Sequence, residues 1–208
     1  LNTPQMSPDD GLVAWYEFEG NTEDSSGNGN SGVNQGISFV DGKIGKAGSF
    51  DGVYYSVQQS TIPGSVFSGS YSVSMWFKLN NWNTNAGGGL ALIQKRGVGS
   101  FILGLSNDNV NTWYNDKDSS CQYTSGQHYQ KLGFMFGNIG GGTCDNTGKW
   151  LLSNNKIESN KWYHAVGIYN AITKEGKLYL NGNLEASALS QIKSGFTTNL
   201  AIGGPPGN

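Results

Sequence analysis

The stretch NKWYHAVGIYNAITKEGKLYLNG, Asn160 to Gly182, decides the fold class. In its first run Trp162, His164, Val166 and Ile168 share one face, and Tyr163, Ala165, Gly167 and Tyr169 share the other. In its second run Leu178 and Leu180 point one way, with Lys177, Tyr179 and Asn181 opposite. Side chains alternate across a strand, so this period of two predicts strands with one buried face. Asn170 to Gly176 between the runs is polar and ends on a glycine, which predicts a β-hairpin. Asn181-Gly182 predicts a second tight turn, because both residues tolerate positive φ.

Composition points the same way. Charged residues make up 13% of the 208-residue chain, against roughly 25% in ordinary soluble domains. Glycine, at 32 residues, takes their place together with Asn, Ser and Thr. These residues disfavour helix interiors and favour turns, so many short strands are expected. The length fits one large β domain. A net charge of −2 offers no electrostatic reason for nucleic acid or an anionic membrane as partner. No apolar run approaches the ~20 residues that span a bilayer. The start, LNTPQMSPDD, has neither the basic nor the apolar region of a signal peptide.

Along the chain, residues 1–10 read as a polar arm or linker and 11–208 as the domain. GLVAWYEFEG (Gly11 to Gly20) is expected as the first strand, followed by an Asn/Asp/Ser/Gly loop. Short strands are expected around Ile37 to Val40 and Ala47 to Tyr55. SYSVSMWFKLN (Ser70 to Asn80) alternates strongly, with Val73, Met75, Phe77 and Leu79 on one face. LALIQKR and GSFILGLS are expected to form a hairpin about Gly97 to Gly99. KLGFMFGN, GKWLLSN and Phe196 to Gly203 complete the set of strands. Short strands with Gly-rich turns argue for an all-β, two-sheet antiparallel sandwich.

Three stretches together resemble the LamG-like, concanavalin A-like jelly-roll domains. GLVAWYEFEGNTEDSSGNGNSG looks like that family's opening strand and loop, with Asp24, Ser26, Gly27, Asn28 and Gly32 in the loop pattern. YSVSMWFKL looks like its aromatic strand, and KWYHAVGIYN with GKLYLNG like its late hairpin. FDG (Phe50 to Gly52) and LAIGG (Leu200 to Gly204) fall in the expected order. The resemblance implies a jelly roll from Gly11 onward. It also implies a further closing strand after LAIGG, which this sequence does not contain. A strand from a neighbouring copy, such as the 1–10 arm, is therefore expected as one way to complete the sheet.

The resemblance further implies a structural Ca²⁺ near the first loop. Calcium takes several oxygen ligands, and Glu19, Asn21, Asp24 and Asn28 supply them at close spacing. The alternative is an Asx-rich turn that satisfies its own backbone. The run Asn107 to Asp118 lacks the alternation and terminal Glu of an EF-hand loop. Cys121 and Cys144 bracket a polar, Gly-rich segment. An even pair around a long loop reads as one disulfide and an oxidising compartment, two free thiols being the alternative.

Loop aromatics point to sugar. Trp82, Trp113 and Tyr114 lie in polar loops, where burial does not explain them, beside Asn and Asp groups suited to hydroxyls. Trp15, Trp76 and Trp162 lie in strand patterns and read as core or sheet-face residues. Glu17 and Glu19 have the i, i+2 spacing of a carboxylate pair, but the glucanase pattern Glu-x-Asp-x-x-Glu is absent. His164 reads as a packed, hydrogen-bonded histidine. The expectation is a non-catalytic, secreted or cell-surface recognition module whose partner is a glycan or an extracellular protein. The competing expectation is a structural or adhesive subunit completed by a strand from a neighbouring chain.

Overall fold

The computed structural model describes residues 11–51, 56–59, 62–82, 90–106, 130–139, 149–189 and 196–203. In chain order the strands are β1 (Val33–Gln35), β2 (Ser38–Asp41), β3 (Lys46–Ser49), β4 (Ser56–Gln59), β5 (Tyr71–Lys78) and β6 (Leu90–Ser106). They continue with β7 (Lys131–Ile139), β8 (Lys149–Leu152), β9 (Trp162–Asn170), β10 (Glu175–Leu180), β11 (Asn183–Leu189) and β12 (Phe196–Ile202). A 3₁₀ turn, Gly64–Ser68, precedes β5. All strand pairs among the described residues are antiparallel.

Two sheets face each other. One runs β1-β4-β12-β6-β7-β8, the other β11-β10-β9-β5, and β2-β3 forms a separate ribbon. This is the antiparallel jelly-roll sandwich that the sequence predicts. The Asn160–Gly182 stretch behaves as read, with β9 and β10 in register from Asn170↔Glu175 to Ala165↔Leu180. Asn170 Oδ1 accepts hydrogen bonds from the Ile172 and Thr173 N–H groups and shapes the first turn. Asn181 and Gly182, at φ of 50° and 82°, make a two-residue turn into β11. Positive φ at both positions matches the strand twist, which is why Asn-Gly is favoured there.

The buried face of β9 is the Tyr163, Ala165, Gly167, Tyr169 side. Its small residues are sockets for rings from the opposing sheet. A Cβ on Gly167 would lie 2.6 Å from Phe134 Cδ2, and one on Gly176 would overlap the Phe136 ring. Phe134 and Phe136 stack at 5.6 Å between centroids, and Phe136 meets Tyr169 at the same distance. Fully burying such a ring stabilises by roughly 1.5–3 kcal/mol. Phe101, Leu103, Leu132 and Leu178 fill the space around them, each with no measurable exposure. A smaller cluster of Ile37, Val57 and Ile202, with Phe18, Phe39 and Phe50 against it, lies under the β2-β3 ribbon.

Two expectations need correction. Gly11 to Gly20 joins no strand ladder, although Val13 and Ala14 pack against the main core. Phe18, at φ 59°, bends the chain there and breaks the alternation that the sequence suggests. LALIQKR and GSFILGLS are one continuous strand, β6, rather than a hairpin about Gly97 to Gly99. Its register shifts between Gly97 and Ser100 against β7, and it pairs β12 on its other side, so the glycines mark a bulge. Ala47 to Tyr55 holds the end of β3, and its residues 52–55 lie outside the described residues. The 1–10 arm lies outside the described residues.

The socket geometry predicts a graded response. Gly176→Ala should lower unfolding free energy by about 1–3 kcal/mol in urea titration, as overpacked cores do. Gly69→Ala, with nothing within 4 Å of its added methyl and no positive φ, should stay within about 0.5 kcal/mol.

Candidate functional site

The loop after Gly20 is organised by Asp24. Its Oδ1 accepts the backbone N–H of Trp15 and of Ser26, both at 2.9 Å, and its Oδ2 accepts that of Asn30 at 2.9 Å. Asn28 donates from Nδ2 to the Leu12 carbonyl at 2.7 Å, and Asn30 donates likewise to Val13 at 2.8 Å. Gly27 and Gly29 sit at φ of 84° and 74°, a conformation that side-chain-bearing residues resist. The loop thereby supplies Leu12 to Trp15 with the partners that a neighbouring strand would otherwise give. Burial pushes the Asp24 carboxyl up. The bonds from the Ser26 hydroxyl and from the Trp15, Ser26 and Asn30 amides outweigh it and hold the group down at about 2.

The four residues expected to hold calcium face different partners. Glu19 Oε1 accepts the Lys46 N–H at 2.9 Å, and Asn21 Oδ1 accepts the Glu23 N–H at 3.0 Å. Asp24 and Asn28 are engaged as above. Among the described residues no three His, Cys, Asp or Glu side chains are grouped to hold a metal ion. In this conformation each of the four residues makes a hydrogen bond of its own within the fold. Glu17 and Glu19 also part company, Glu17 Oε2 accepting the Ser25 hydroxyl at 2.8 Å.

Of the loop aromatics, Trp82 is half-buried against the main core and donates from Nε1 to the Ile157 carbonyl at 3.0 Å. That contact uses its one polar group on the fold. Trp113, Tyr114, Cys121 and Cys144 lie outside the described residues.

The outer face of the β11-β10-β9-β5 sheet carries a group that sequence reasoning set aside. Trp76 on β5 pairs with His164 on β9, their rings 5.2 Å apart. Trp76 remains 48% exposed. Ser74 Oγ lies 2.9 Å from His164 Nε2, while Asn181 Oδ1 accepts the His164 N–H at 2.9 Å. Lys43, from the tip of the β2-β3 ribbon, places Nζ 5.5 Å from the Trp76 ring centre. Two pairs further along, on the same face, Lys78 Nζ lies 5.3 Å from the Trp162 ring centre. The signal was present in the alternation, which puts Trp76 opposite Val73 and Phe77 and so away from the core. Only the register shows that Trp76 meets His164.

Asp24 gives a pH-dependent prediction. A depressed native pKa contributes stability that is full above the unfolded value of about 3.9 and is lost as pH falls toward the native one. Asp24→Asn should cost about 1 kcal/mol at neutral pH, a small figure because solvent screens the loop. The Tm gap between the two proteins should close as pH drops from about 5 to about 2. EGTA should leave Tm unchanged in both.

No curated protein matches the sequence. Among solved structures, domain 4 of AbnA, a GH43 extracellular arabinanase from Geobacillus stearothermophilus in complex with arabinotriose, is similar at TM-score 0.58 and 20% identity. That match covers 91% of this chain and 81% of the other. The binding domain of Botulinum Neurotoxin DC in complex with SialylT is similar at TM-score 0.59 and 15% identity, over 93% of this chain and 43% of that one. The receptor-binding domain of Botulinum Neurotoxin Type G gives 0.54 and 12%, over 89% and 41%. At these identities the likeness is one of fold. The sequence itself matches Laminin_G_3 over residues 51–208, and the chain belongs to this concanavalin A-like lectin/glucanases superfamily.

Proposed function

We propose that this chain is a non-catalytic carbohydrate-recognition module that works outside the cell, in a secreted or surface-displayed protein. The observation that carries the reading is Trp76, held half-exposed on a strand that pairs with β9 along its whole length, with Ser74 and His164 beside it. Sugars present apolar C–H faces and hydroxyl rims, which an open indole flanked by polar groups complements. A platform on a rigid ladder needs little ordering when it binds. The arabinanase domain with arabinotriose and the neurotoxin domain with SialylT lend support, since each is a similar sandwich studied with a saccharide. Trp113 and Tyr114 are the loop contacts we assign, with Trp82 anchoring the start of its loop. Glu17 and Glu19, turned to separate partners, are not assigned a catalytic role.

A glycan array probed with the intact protein tests this reading. Binding to at least one glycan class is expected, and binding to none would overturn it.

One observation favours a second, structural reading. Among the described residues β5 pairs only with β9, and Leu12 to Phe18 joins no ladder. An edge strand with unpaired N–H and C=O groups is a template for a strand from another copy. Sedimentation velocity should then show a species of twice the mass growing with concentration. A monomer throughout removes the second reading and leaves the first.

A further inference from the structure

Among the described residues the Trp76 indole N–H meets no acceptor, since the contacts of this side chain are the His164 ring and the Lys43 ammonium. Lys43 and Lys78 each lie over an indole and take part in neither ion pair of the described residues, Lys161–Glu158 and Lys177–Glu175. Glu175, at the far end of this sheet face, is held by Lys177 at 3.3 Å, and Glu19, beside the ribbon tip, accepts the Lys46 N–H at 2.9 Å. Among the described residues, then, Lys43 and an unbonded N–H adjoin the exposed Trp76 ring and Lys78 lies over the indole of Trp162, with no ion pair to either lysine, in a chain whose net charge is −2. A neutral sugar would use the ring and leave the cations without a partner. An anionic group would answer both, because charge-assisted bonds to carboxylate or sulfate are the stronger kind.

We infer that the outer face of this sheet binds an acidic saccharide. Trp76 is its platform, and Lys43, Lys78 and the Trp76 N–H hold its carboxylate or sulfate. The inference rests on the carbohydrate reading above and adds the position and charge class of the ligand. An acidic peptide shares the charge. It fits the face less well, because eight consecutive pairs between β5 and β9 fix Trp76 as a stacking platform, and a peptide of acidic residues has no apolar C–H ring face to lay on it.

Titration calorimetry with a glucuronate-containing oligosaccharide, a sulfated oligosaccharide and their neutral parent tests this. At least one acidic form should bind about tenfold more tightly than the parent, a preference that shrinks as salt rises. Which of the two binds tells carboxylate from sulfate. Trp76→Ala should abolish binding. Lys43→Gln with Lys78→Gln, both at exposed positions, should weaken the acidic form about tenfold and leave the parent unchanged. The double lysine variant carries the test if Trp76→Ala does not fold. Equal binding of neutral and acidic forms, or acidic binding that survives both variants, overturns the inference while the carbohydrate reading stands. Binding of tetraglutamate with no saccharide bound overturns both.

Discussion

The fold depends on two glycines meeting two phenylalanines. Gly167, near the middle of β9, and Gly176, the second residue of β10, lie two register positions apart on the buried face, and the Phe134 and Phe136 rings of the opposing sheet occupy the space that their Cβ atoms would take. Close approach at this point lets Tyr163 and Tyr169 flank the rings, stacking on Phe77 at 5.6 Å and meeting Phe136. Interiors pack to crystal-like density, so a methyl group inserted here has nowhere to go. The face of β9 that looks less hydrophobic in sequence, Tyr-Ala-Gly-Tyr, is thus the one that is buried. Its opposite face is left to carry Trp162 and His164 outward.

A second constraint acts where the ladder stops. Leu12 to Phe18 packs by Val13 and Ala14 against the main core, yet pairs with no strand. Backbone groups near a core need partners, and the Asp24 loop provides them through carboxylate and amide side chains. The loop's acidic and amide residues are therefore consumed by the fold. The recognition proposed for this chain lies instead on the outer sheet face, where side chains are positioned by β5 and β9.

Much of the architecture was legible in the sequence, and the reasons are local. Alternation in Ser70 to Asn80 and Asn160 to Gly182 identifies strands because one face is buried. Asn181-Gly182 identifies its turn because few residues accept positive φ twice in succession. What failed was non-local. Gly11 to Gly20 alternates like a strand, but a ladder needs a neighbour, and no single segment reveals whether one exists. Gly97 to Gly99 reads as a turn, yet pairing with both β12 and β7 keeps the chain extended through a bulge. The oxygen-rich residues Glu19, Asn21, Asp24 and Asn28 have ligand chemistry, while their orientation depends on partners up to 27 residues away. Trp76 and His164 are 88 positions apart, and only strand register brings the rings together.

The central claim is that ligand meets this protein on the outer face of β5 and β9. Nitrogen-edited NMR during titration with a glucuronate-containing oligosaccharide tests it most directly, because the Trp76 indole N–H and the Ser74 and His164 amides each give a separate signal. The account predicts that these three move together and saturate at one ligand concentration. Shifts confined to other parts of the chain, with the Trp76 indole unmoved at saturation, would contradict it.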